Sequence, residues 1–158
     1  MATLLQQLQR AKALKSDKLS KDLFRYIRSI EKDLLLLNKQ QISIESKDIY
    51  GKALGFYSEA TEYITTNNAL LGKGGTIKRA GDPFTGIDTG DWMKGFYMQE
   101  VSGVLRFNSS DPKTNEILSS KSWLSHEVFG LSDQDLKKVV EEKIQPFLIQ
   151  HFRKSLEI

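Results

Sequence analysis

The sequence predicts an α+β fold: an N-terminal helix or helices, a small antiparallel sheet with a long glycine-rich loop, and a long kinked C-terminal helix. Three observations predict it. Apolar residues recur every three or four positions near both ends of the chain. Between them, Asp91–Val101 and Val104–Asn108 flank a Ser-Gly pair, the pattern of two strands joined by a tight turn. Six of the eleven glycines fall between Gly72 and Gly90, a density that costs backbone entropy in any regular element.

Leu4, Leu8, Ala11 and Leu14 make one side of a first helix apolar. At Lys15-Ser16-Asp17 either two helices separate or one bends. Leu23, Ile27, Ile30, Leu34 and Leu37 then follow at steps of four and three, a narrow heptad-like seam with Arg25, Arg28, Glu31, Lys32 and Asp33 to its sides. Gln41–Glu45 alternates with period two and reads as a short strand, and Asp48–Ser58, with two glycines, as a turn-bearing loop. In Glu59–Asn68 the β-branched residues favour a strand, while Glu and Ala favour a helix. Residues 72–90 read as a long flexible loop, of a length that in compact domains is either functional or disordered. Trp123, Leu124, Val128 and Phe129 are expected in the core. Ser132 caps the last helix, whose apolar face runs through Leu136, Val139, Val140, Ile144, Phe147, Leu148 and Phe152. Pro146 removes a donor inside it and is expected to kink or divide it. A single domain, 1–158, is expected: a helical arm (1–40), sheet and loops (41–130, with 72–90 flexible) and the terminal helix (131–157).

Apolar residues make up 39% of the chain and charged residues 27%, the mixture of a folded soluble domain. The absence of cysteine removes disulfides, thiolate metal sites and cysteine nucleophiles together. The N-terminal stretch is too polar for a signal peptide, and the longest apolar run, Leu34–Leu37, is too short for a membrane span. The net charge of +3 comes from 23 basic and 20 acidic side chains whose signs alternate along the helices, the pattern of solvated faces.

Nothing in the residues points to catalysis. His126 and His151 share no metal-ligand spacing. Ser125-His126-Glu127 places a hydroxyl, an imidazole and a carboxylate side by side, but triads are assembled by folding rather than adjacency. Gly72–Thr76 lacks the spacing of a phosphate loop. Glu141-Glu142 and Asp133/Asp135 read as solubility and helix capping, and Phe96, Tyr97 and Phe107 as packing. No catalytic or metal site, cofactor or small-molecule substrate is expected. Lys73, Lys78 and Arg79, exposed in the flexible loop, form a basic cluster able to touch phosphates.

Thr85–Met93 (TGIDTGDWM) resembles the L-x-D-T-G-x-L/W turn of the small head–tail joining, or tail-completion, proteins of tailed bacteriophages, also called neck or minor tail proteins. The order of surrounding elements is similar: an N-terminal helix, the Gly51–Thr66 segment, antiparallel strands after the turn, His126–Gly130, and the terminal helix Leu131–Glu157. The chain departs from the family's Pro-Arg-Pro-Phe-like stretch before the last helix, having Gly130-Leu131-Ser132-Asp133 there, which leaves neck, completion and terminator roles open. The resemblance implies a non-enzymatic virion subunit, assembled in the host bacterial cytoplasm into a homo-oligomeric ring. Subunit contacts are then expected at Leu23, Ile27, Ile30, Leu34, Lys73, Asp88, Thr89, Gly90 and Trp92, with packing inside the chain as the seam's alternative role. By their own chemistry, Asp88 accepts bonds from amides further on, Gly90 admits a positive φ, and Trp92 and Met93 anchor the turn to the core. One copy of Asp-Thr-Gly does not make an aspartic protease. The competing expectation is a small nucleic-acid-binding or regulatory module that uses Lys73, Lys78 and Arg79.

Overall fold

The computed structural model describes residues 4–70, 76–87, 90–119 and 124–156. It is α+β, with helices at both ends and a two-stranded antiparallel sheet between them. Contacts gather the described residues into two compact units, one from Met1–Lys32 with Gln134–Ile158 and one from Asp33–Asp133.

The smaller unit is helical. α1 (Leu4–Ala13) and α2 (Ser16–Ser29) are separate helices, because Lys15 is extended, with φ −95° and ψ 131°. The C-terminal helix comprises α7 (Asp133–Val139), a π turn (Val140–Ile144) and α8 (Gln145–Leu156). The helix is thus continuous through the π turn, and Pro146 follows that turn directly, at the point where its missing N–H takes one donor from the ladder. The wide turn, closed by Gln145 N–H donating to the Val140 carbonyl, spares the Glu142 carbonyl the proline ring. Tyr26 of α2 stacks on Phe147 of α8 at 4.2 Å, and Arg10 of α1 donates to the Leu156 carbonyl at 3.3 Å.

In the larger unit, α3 (Glu31–Ser43) is separated from α2 by non-helical Ile30, so the seam is not one continuous helix. The strand expected at Gln41–Glu45 is instead the end of α3 and the turn after it. Ile42 is fully buried from the helix while Ile44, beyond its end, is 75% exposed, which a strand with both on one face would not give. α4 (Glu59–Leu70) resolves the second ambiguity as a helix, its first turn capped by Ser58 Oγ accepting from Thr61 N–H at 3.2 Å.

Asp91–Lys94, expected as the start of a strand, is a helical turn, α5. Neighbouring Trp92 and Met93 are both buried, and a helical turn can aim consecutive side chains at one core where a pleated strand sends them to opposite faces. β1 (Phe96–Val101) and β2 (Val104–Ser109) pair in register from Phe96↔Ser109 to Val101↔Val104. Ser102 and Gly103, both at positive φ (53° and 77°), form the two-residue turn read from the sequence, whose twist matches that of the strands. Phe96 and Met98 point inward, and Trp92 meets Phe96 edge-on at 5.0 Å beside Phe129. α6 (Thr114–Ile117) and a 3₁₀ turn (His126–Val128) close the core with Leu118, Leu124 and Val128; Trp123 lies outside the described residues.

The core is fastened by a buried amide. Asn38 Nδ2 donates to the carbonyls of Val128 and Gly130, both at 2.7 Å, and Gln41 Oε1 accepts from Ser132 N–H at 2.8 Å. Asn38→Ala leaves two buried carbonyls without that donor and is expected to cost roughly 2–4 kcal/mol. Chemical denaturation should show a lower midpoint with unchanged slope. An unmoved midpoint would mean that this amide does not fasten the core.

Candidate functional site

The glycine-rich segment is the sequence's most distinctive feature, and its described part, 76–87, is bonded to the rest of the larger unit. Phe56 and Pro83 form an antiparallel bridge. Tyr57 N–H donates to the Asp82 carbonyl at 2.9 Å, Gly81 N–H to that of Tyr57 at 3.0 Å, and Phe84 N–H to that of Gly55 at 3.0 Å. On α4, Thr65 Oγ1 accepts from Lys78 N–H at 3.0 Å and Glu62 Oε2 from Ala80 N–H at 2.7 Å.

Lys78, expected to be exposed, is instead 7% accessible. Its Nζ donates to the Ile87 carbonyl and lies 5.7 Å above the Tyr57 ring. A carbonyl and a ring face compensate the ammonium for lost water, while the methylene stem packs like an apolar side chain. Arg79 is exposed. Lys73, Asp88 and Thr89 lie outside the described residues. The basic cluster read from the sequence thus keeps one surface cation among its described members.

Gly90 takes the positive φ its position requires, 83°. Trp92 lies in the core, 6% exposed, its carbonyl accepting from Ser109 Oγ at 2.8 Å. Its indole N–H makes no hydrogen bond among the described residues. Leu23, Ile27 and Ile30 are half-buried within the chain and Leu34 is buried.

The polar groups around the histidines are local structure. Ser125 Oγ accepts from Glu127 N–H at 3.3 Å and donates to Glu127 Oε2 at 2.9 Å, capping the 3₁₀ turn, while His126 is exposed. His151 lies against Phe147 and Phe152, with ring centroids at 5.8 and 6.2 Å. Among the described residues, no group of three or more His, Asp or Glu side chains is placed to hold a metal ion, and no helix is long and apolar enough to cross a membrane.

Sequence reasoning missed the outer face of α4. Thr61, Glu62 and Thr65 face inward, leaving Ala60, Tyr63 and Ile64 on one exposed side. Tyr63 is 72% exposed and Ile64 56%. The signal was the i, i+3, i+4 spacing of these three, legible only once the segment is known to be helical. Tyr50 and Phe56, in the loop before α4, are also largely exposed. Compared with protein-family models, curated proteins and solved structures, the chain matches none.

Gly86 holds the segment against the core. At φ +65°, a Cβ there would lie 2.9 Å from Met93 Cε, 3.1 Å from Ile42 Cγ2 and 3.2 Å from Trp92 Cζ3. Gly86→Ala adds backbone strain to crowding and is expected to cost about 1–3 kcal/mol. Thermal unfolding followed by near-UV circular dichroism, which reads the Trp92 environment, would register the loss; an unchanged melt would mean that the contact yields freely.

Proposed function

We propose that the chain is a non-enzymatic structural subunit that acts through protein contacts, as a head–tail joining or tail-completion protein of a tailed bacteriophage forming a closed ring. The observation that carries the reading is the outer face of α4, where Tyr63 and Ile64 are exposed on a helix whose other side is committed to residues 78–80. An exposed tyrosine beside an exposed isoleucine is the kind of anchor that protein interfaces bury. The similarity of Thr85–Met93 to the phage turn supplies the virion setting. In this reading the seam and Trp92 shape the subunit, and α4 with its neighbouring loop meets the next subunit. Ring closure follows from a heterologous contact whose rotation returns to the start.

Light scattering over a range of concentrations, alone and with the neighbouring virion proteins, tests the assembly. The wild type is expected to reach a fixed multiple of the 18.0 kDa chain. Tyr63→Ser with Ile64→Ser should abolish that multiple while leaving the unfolding midpoint nearly unchanged, because both side chains stand in solvent. A wild type that stays monomeric under every condition, or a variant that assembles normally, would overturn the reading.

A further inference from the structure

The two units carry opposite net charge. Residues 1–32 and 134–158 hold 13 basic and 7 acidic side chains, whereas 33–133 hold 10 and 13, so the modest overall +3 conceals +6 in one unit and −3 in the other. Within the basic unit, α2 places Lys18, Lys21, Arg25 and Arg28 at steps of three, four and three, one exposed face about 15 Å long. At its N-terminal end this row enters a cleft of about 230 Å³ lined by Arg10, Lys15, Lys18 and His151, with Leu14 and Ser155.

Lys15, Lys18 and Lys21 form no ion pair with any described residue. Arg25 and Arg28 meet Asp22 and Glu31 at 3.1 and 3.3 Å, exposed i, i+3 pairs worth a few tenths of a kcal/mol that a phosphate would readily displace. The opposite side of α2, with Leu19, Leu23, Tyr26 and Ile27, is half-buried within the chain, so this helix has no free apolar edge to insert into a lipid surface. Along one strand of a duplex, about 15 Å of axis carries about four phosphates, one for each cation in the row.

We propose that this face of α2 and the adjoining cleft bind the phosphate backbone of a nucleic acid without reading its sequence. The site uses none of the residues of the glycine-rich segment and stands independently of the α4 contact. The test is fluorescence anisotropy of the full chain with a labelled 20-base-pair duplex of arbitrary sequence, titrated at several salt concentrations between 50 and 200 mM. Lys15→Gln, Lys18→Gln, Lys21→Gln and Arg25→Gln together are expected to weaken binding at least tenfold and to lower the log–log salt slope by about 3.6, near 0.9 for each lost phosphate contact. An equal charge change in the other unit (Lys47→Gln, Lys52→Gln, Lys94→Gln and Lys113→Gln) should alter affinity less than threefold. If the quadruple α2 variant fails to fold by circular dichroism, Lys21→Gln alone should still lower the slope by about 1. The proposal is overturned if the wild type does not bind the duplex at 50 mM salt, if the control loses as much as the α2 variant, or if phosphatidylserine vesicles bind and the duplex does not.

Discussion

Two amide side chains on α3 set the geometry on which the larger unit depends. Asn38 and Gln41, one turn apart and fully or almost fully buried, reach the main chain of residues 128–132. Between the 3₁₀ turn and α7 that stretch has no regular element of its own, and the carbonyls of Val128 and Gly130 and the N–H of Ser132 take these side chains as partners. The same Gln41 accepts at its backbone carbonyl from Lys47 N–H, turning the chain as it leaves α3. A buried polar clasp of this kind is directional where apolar packing is not, and it fixes the register of Val128 and Phe129 against the core. The β-hairpin needs that fixed surface. Two strands alone are marginal in water, and these are held because Phe96 packs on Trp92 and Phe129.

A second consequence concerns the glycine-rich segment. Glycine density predicts freedom, yet residues 76–87 bond to the loop at 55–57 and to α4, and Lys78 reaches within the segment to the Ile87 carbonyl. Once Thr65 and Glu62 are spent on residues 78–80, α4 has one side left. The exposure of Tyr63 and Ile64 is therefore imposed by the ordering of the segment, not by a shortage of apolar partners in the unit.

Periodicity made much of the fold legible, because helices with one buried side write themselves at steps of three and four. α2 and the C-terminal helix, each half-buried on one side, are of this kind, whereas α1 is helical with Leu5 and Leu8 exposed; the Ser-Gly pair named its turn because a type I′ turn has positive φ at both positions. The misreadings came from windows too short to carry a period. Ile42 and Ile44 fit alternation over five residues, but Ile42 is the last core position of a helix. Trp92 and Met93 looked continuous with the strand that follows, though neighbours buried together call for a helical turn. The burial of Lys78 was not legible, since it depends on Tyr57 and Ile87 arriving at the same place, and no local pattern encodes that.

Charge was misleading for a related reason. Along α2 the signs mix in sequence, with Asp17 beside Lys18 and Asp22 beside Lys21, and such mixing reads as an evenly solvated helix. Each residue of a helix advances by about 100° around the axis, so sequence neighbours occupy different faces while residues three and four apart share one. Lys18, Lys21, Arg25 and Arg28 therefore collect on a single face, which they share with one carboxylate, Asp22, paired with Arg25. The same holds at the scale of the chain. The basic unit is assembled from the two ends of the sequence, and the acidic unit between them cancels half of its excess in any total. A small net charge is thus compatible with a strong local field, because a polyanion within a Debye length feels the nearby face and not the sum.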